Sequence, residues 1–224
     1  MQNKIEKIYN TVGRFSNFYD GMITNKSFFG RLAMKIFWGL SDEDYEKFLK
    51  NIFAGIPQNF SGKILEIPIG TGAISFPIYK KIPDTKIFGV DYSKNMLVAA
   101  QKNSQKINLK NVEFFQGDVG NLNFSEKIFD IVLSINGLHA FPEKNSAFKE
   151  IFRVLKDGGI FCGSCYIFGE NNRTDFFVKN FCERFNFFTP PFETAESLQK
   201  KLGEFYSEIK ISTVQSFAEF ICKK

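Results

Sequence analysis

The sequence predicts an α/β domain: a mostly parallel seven-stranded sheet with a C-terminal antiparallel hairpin and an N-terminal helical lid. Three observations carry that expectation. The stretch from Lys63 to Ala73 is a short apolar run with Glu66 near its end, which breaks into the Gly-rich turn Pro68-Ile69-Gly70-Thr71-Gly72. A helix-like segment, 74 to 82, follows at once, the pattern of a first βα unit in an open parallel sheet. From Lys63 to Ile167 apolar runs alternate with helical patterns, and two strand-like runs close the chain.

The elements follow in order. Residues 1–60 read as helical and form a lid or cap, with the sheet domain at 61–224. Ile5, Ile8, Tyr9 and Val12 share one helical face, and Phe28, Phe29, Leu32, Ala33, Ile36 and Phe37 repeat the spacing. The next helix has both ends marked, with Ser41 as N-cap, Asp44 at the capping-box position, and Gly55 then Pro57 at the stop. Further strands are expected at 86–91, 112–116, 128–135 and 160–167; the fourth is apolar almost throughout, as a strand buried on both faces should be. Ser93 opens one helix. Another runs through Ala147, Phe148, Ile151 and Leu155 to a C-cap at Gly158-Gly159. A helix near 195–202 precedes strand-like runs at 206–214 and 216–222, joined at Gln215-Ser216.

Composition bounds the function. With 224 residues and 44% hydrophobic content, the chain can bury a substantial core, and it has no apolar run of bilayer-spanning length. The charged start is unlike a secretory signal, and four cysteines do not make a disulfide scaffold, so a reducing cytoplasm is expected. The net charge of +5 is dispersed, which disfavours a nucleic-acid partner. Oligomeric state is not readable. Aromatic residues crowd the N-terminal 40 positions, either as a packing stripe or as a lid with Tyr9 and Tyr19 facing the ligands.

The ordered motifs closely resemble those of class I S-adenosylmethionine (SAM)-dependent methyltransferases, whose fold is Rossmann-like. Within them the chain is most similar to small-molecule members of the quinone-biosynthesis type. Glu66-Ile67-Pro68-Ile69-Gly70-Thr71-Gly72 resembles the first motif, with Pro68 in place of its first glycine. The resemblance puts Glu66 near the methionine amino group. Asp91, 21 residues after Gly70, stands where an acidic side chain accepts the two ribose hydroxyls. Tyr92 and Met96 belong to the same second motif, with Met96 against the adenine or simply in the core. Gly117-Asp118-Val119 resembles the third motif, where the carboxylate meets the adenine amino group; a helix cap is the plainer reading of Asp118. Asn136 and His139 follow the fourth strand. His139, the only histidine, stands beside the expected methyl-transfer point and is a candidate general base.

Three other signals lead away. Cys162 and Cys165 form a CxxC, but residues i and i+3 of a strand face opposite ways. Tyr206 and Lys210 have the spacing of short-chain dehydrogenases but lie in a terminal strand. Thr189-Pro190-Pro191-Phe192 resembles the motif of nucleic-acid amino-methyltransferases but does not follow strand four; it is expected to line or close the pocket. The resemblance therefore implies SAM as cofactor and methyl transfer to a small apolar or aromatic acceptor. The rivals are a nucleic-acid methyltransferase and a noncatalytic nucleotide-binding protein of the same fold.

Overall fold

The computed structural model describes Thr24 and residues 27–224. The helices expected before Thr24, with Tyr9 and Tyr19, lie outside the described residues. The first described helices are α1 (Phe28–Trp38) and α2 (Asp42–Phe53). Then come β1 (Lys63–Glu66), α3 (Phe76–Tyr79), β2 (Lys86–Asp91), α4 (Lys94–Lys106), β3 (Val112–Gln116) and β4 (Phe129–Ile135). The chain continues through α5 (Lys144–Val154), β5 (Leu155–Tyr166) and α6 (Asn172–Phe177), and ends with α7 (Ala195–Gly203), β6 (Glu208–Val214) and β7 (Phe217–Lys223).

The seven strands form one sheet in the order β3-β2-β1-β4-β5-β7-β6. The first five are parallel, while β7 runs antiparallel to both β5 and β6. The order reverses between β1 and β4, which is where an open sheet of this kind leaves its ligand crevice. Alternate strand residues feed two cores. Leu65, Val132 and Phe161 pack under α5 and α7, whereas Ile64, Ile131 and Cys162 pack under α2, α3 and α4. Covering both faces is what permits strands as apolar as β4. Cys162 and Cys165 fall in different cores, and all four cysteines are free and buried.

α2 keeps the expected capping box between Ser41 and Asp44. It lies against the hairpin, with Asn51 Nδ2 donating to Ser212 Oγ and Glu219 Oε2, each at 3.2 Å. α1 starts at Ser27, whose Oγ accepts the Gly30 N–H, and stops at Gly39 with φ +69°. It is tied to α6 by Arg173 donating to the Lys35 carbonyl (3.0 Å) and Thr174 Oγ1 to that of Phe37 (3.1 Å). The Phe37 and Phe177 rings stack at 4.5 Å.

Three expectations need correction. The helix after the Gly-rich turn is only Phe76–Tyr79: beyond it the N–H groups of Lys81 and Ile82 bond three residues back instead of four, and Pro83 disfavours helix at Ile82. α5 ends at Val154, not at the glycines. Leu155 already pairs with Phe129, and the ladder shifts before Ile131, so Gly158 sits inside an irregular strand start with its N–H on the Lys224 carbonyl. Lastly, α6 and the π-helical turn Val178–Cys182 that continues it were not expected; Asn171 caps them through the N–H groups of Arg173 and Thr174.

Candidate functional site

The carboxyl ends of β1, β2, β3 and β4 meet around the first loop. Its edges stay paired with both neighbouring strands: Ile67 N–H donates to the Leu133 carbonyl and Ile69 N–H to that of Val90, each at 2.9 Å. Asp91, at the end of β2, binds the loop directly. Its Oδ2 accepts the Gly70 N–H at 2.9 Å and its Oδ1 accepts the Ser93 N–H at 2.8 Å. Burial pushes the carboxyl up to about 6, against the opposing pull of those two amides. A carboxylate offers roughly four lone-pair sites, so about two remain for a ligand.

The two loop glycines do different work. Gly70 has φ +56°, and a Cβ there would have no atom within 4 Å, so this side of the backbone is open to a ligand. Gly72 has φ +73°, but its Cβ would lie 2.1 Å from the Phe76 ring. Gly72 therefore makes room for a core aromatic. Pro68, after a cis peptide bond, packs on the fourth loop, since a Cβ on Gly137 would meet its Cδ at 2.4 Å. That contact joins the first and fourth loops.

Glu66 lies beneath the loop, 2% exposed, with Oε2 accepting the Tyr79 hydroxyl at 2.8 Å. Burial outweighs that hydrogen bond and raises it to about 8. The structure thus gives Glu66 a protein partner at the base of the loop. Gly117 N–H donates to the Asp91 carbonyl at 3.1 Å, which brings the third motif alongside the second. Asp118 Oδ1 accepts the Gly120 N–H at 2.8 Å and so braces its own turn, while Val119 is buried in the core. Met96 is buried on the first turn of α4, and Tyr92 is half-buried with its carbonyl accepting from Gln116.

Past β4, Asn136 takes φ +54° and is anchored to β5, its N–H on the Ser164 carbonyl (2.9 Å) and its Oδ1 accepting from Ser164 Oγ (3.0 Å). His139 is 5% exposed, and its Nδ1 accepts the backbone N–H of Tyr166 at 2.9 Å. Burial first, with Lys144 adding to it, drives the imidazole down to about 3. A neutral ring whose Nδ1 is an acceptor carries its proton on Nε2, so it is placed to donate and not to act as a base. Phe188 lies against it with ring centres 3.8 Å apart.

Sequence reasoning missed what holds this loop. Thr189 N–H donates to the His139 carbonyl at 2.8 Å, and Lys144 Nζ binds the carbonyls of Thr189 and Pro191. Tyr166 donates to Asp175 Oδ1 at 2.6 Å, and Gly169 N–H to Asp175 Oδ2 at 3.0 Å. The aromatic run ending in Thr189-Pro190-Pro191-Phe192 was the available signal, and the segment does line the fourth loop. Of the candidates, the structure gathers Pro68, Gly70, Asp91, Asn136 and His139 at the strand ends. Glu66, Met96 and Val119 are buried beneath or beside them. Among the described residues no His, Cys, Asp and Glu group could hold a metal ion.

Fold and site together define a doubly wound α/β domain with its ligand loops over the β1/β4 switch point. Residues 61–210 match the family model described as "Methyltransferase domain", and the chain belongs to that family. The chain is 40% identical over 97 residues to the demethylmenaquinone methyltransferase of Lactococcus lactis, which is 43% of this chain and 38% of that relative. A Thermotoga maritima structure described as a SAM-dependent methyltransferase, possible histamine N-methyltransferase, superposes with TM-score 0.70 at 20% identity, covering 98% of this chain and 99% of that one. The [4+2]-cyclase SpnF gives 0.66 at 15% identity, with 80% and 81% covered. The chain thus spans well under two thirds of the curated relative's length, and the solved structures share its fold.

Proposed function

We propose that this chain is a SAM-dependent methyltransferase acting on a small, partly apolar or aromatic acceptor, with a demethylated quinol as the narrower candidate. The observation that carries the proposal is the Gly70–Asp91 cradle: an open glycine backbone beside a carboxylate with capacity left for a diol. The residues fit the cofactor. Asp91 would accept the ribose hydroxyls, Gly70 would let the backbone approach, and Asp118, Val119, Tyr92 and Met96 would border the adenine. Pro68 and Asn136 would hold the loops on either side. Glu66, neutral near pH 7 and bound to Tyr79, sets the loop's floor.

When bound, SAM supplies a methyl on an activated sulfonium, so the protein's task is alignment and exclusion of water, and orientation contributes up to roughly 7–11 kcal/mol in favourable cases. Asp91 and Gly70 fix the donor side. His139, held by Tyr166 and Phe188, would donate from Nε2–H to an acceptor oxygen. The region before Ser41, which carries Tyr9 and Tyr19, would serve as the lid, whereas α2, counted with it at 1–60 from the sequence, packs in the core under the sheet. The name of the Lactococcus relative supports the quinol reading. The free, buried thiols support a cytoplasmic location; no helix among the described residues is long and apolar enough to cross a membrane.

Methyl-labelled SAM, incubated with demethylated naphthoquinols, catechols, small amines and tRNA, tests the proposal. Label is expected in the quinol or catechol set. Label in tRNA would favour a nucleic-acid enzyme. Binding of S-adenosylhomocysteine without transfer to any substrate would favour a noncatalytic protein of the same fold.

A further inference from the structure

α1 carries two apolar faces, and only one of them is used by the core. At 100° per residue, Gly30, Met34 and Trp38 form the inward stripe, whereas Phe28, Phe29, Leu32 and Ile36 span an outward arc of about 100°. Phe28 and Phe29 are 68% and 80% exposed. Arg31 and Lys35 border this arc, and the helix has no acidic residue. The apolar face continues onto the neighbouring helix through stacked and tilted rings, Phe37–Phe177 at 4.5 Å, Phe177–Phe181 at 5.3 Å and Phe181–Phe185 at 4.9 Å. Phe176 beside them is 70% exposed; Arg173, Lys179 and Arg184 are exposed along the same stretch, which also carries exposed Glu170 and half-buried Glu183, so the net positive charge of the face comes from Arg31 and Lys35.

From this we infer that the α1–α6 face docks on the surface of an anionic lipid bilayer. Exposed aromatic and aliphatic side chains enter the interfacial layer, and the bordering Arg and Lys side chains meet the headgroups, the pattern of an in-plane amphipathic helix. A contiguous apolar patch of this kind marks an interaction surface on a soluble protein. Charge selects the partner. A second copy of the chain would bring the same cations against one another, while an anionic surface complements them. The inward stripe of α1 is the side that meets the His139 loop, with Trp38 stacked on Phe188 at 5.9 Å between ring centres.

The test is co-sedimentation of the full chain with vesicles of phosphatidylcholine alone and of phosphatidylcholine with phosphatidylglycerol at roughly three to one. The wild type should pellet with the mixed vesicles and less so as salt is raised. The double variant Phe28→Ser/Phe29→Ser should partition at least about tenfold more weakly, and Lys35→Glu at least about fivefold more weakly. Both should keep the wild-type melting temperature and affinity for S-adenosylhomocysteine. Absence of wild-type binding to the mixed vesicles, or equal partition of the double variant, overturns the inference. So does sedimentation velocity showing a dimer that the double variant dissolves. Retained S-adenosylhomocysteine binding without vesicle binding would end the docking inference alone and leave the proposed function standing.

Discussion

The Gly70 N–H donates to Asp91 Oδ2 across 2.9 Å, so the residue that closes β2 also holds the loop that leaves β1. On the proposed reading, tether and ligand acceptor are the same carboxylate. Replacing it removes a buried, doubly hydrogen-bonded anion and unpins the loop.

Asp91→Ala should weaken S-adenosylhomocysteine binding by about 1.5–3 kcal/mol, the scale of hydrogen bonds to a charged group. Because the carboxyl is raised to about 6 by burial, its removal should not unfold the chain. Titration calorimetry on the variant decides; an unchanged affinity removes Asp91 from the site.

The two loop glycines should separate binding from stability. Gly70→Ala points a methyl into open space at φ +56°, so the expected result is lost cofactor affinity with a stability change of only about 1–2 kcal/mol. Gly72→Val drives its side chain into the Phe76 ring, so it should lower the melting temperature first. A Gly72→Val protein of wild-type stability that binds no cofactor would reverse these assignments.

His139 should stay neutral with its proton on Nε2 throughout pH 5–8. Long-range nitrogen–proton correlation spectra report that tautomer directly. A methyl-transfer rate with an inflection near pH 6.5 that vanishes in His139→Gln would restore the general base, because the buried imidazole is held down to about 3.

Stability should fall as pH rises from about 6.5 to 8. Burial raises Glu66 to about 8 and Glu219 to about 7, above their values of 4.5 in the unfolded chain. Between these limits the folded state holds more protons than the unfolded one, so their contribution is full below pH 4.5 and is lost as pH climbs through the folded values. His139 acts oppositely, its folded value being the lower one, but only below about 6.5. A change near 1 kcal/mol corresponds to roughly 2–4 °C in Tm for a chain of this size. Melting curves of Glu66→Gln should be flatter across this window; an identical slope would contradict the assignment.

A chain starting at Ser41 should melt cooperatively and bind S-adenosylhomocysteine without useful turnover. α2 stays docked through Asn51 on Ser212 and Glu219, while α1, which reaches Phe188 through Trp38, is lost. Insolubility would make the N-terminal region a packing stripe, and full activity would eliminate the lid.

The parallel strands, the hairpin at Gln215-Ser216, and the positions of Gly70 and Asp91 were legible because each depends on local periodicity, a turn residue or fixed spacing along one βα unit, whereas Asn136 stood out only through the resemblance of its motif. The sheet's strand ends needed no distant information. By contrast, α6 was invisible because its cap, Asn171, precedes a short aromatic stretch without a clean period, and it gains its order from the contacts of Thr174 and Phe177 with Phe37 of α1. Sequence alone likewise determined that His139 follows β4. Tertiary structure decided what it can do: Tyr166, 27 residues further on, supplies the N–H that fixes its tautomer, and Phe188 supplies the burial that keeps it neutral. The same division separates Gly70 from Gly72, which stand two residues apart in one turn. Only the packed position of the Phe76 ring makes one glycine face open space and the other a core aromatic, because a steric clash is a property of distances that spacing does not encode.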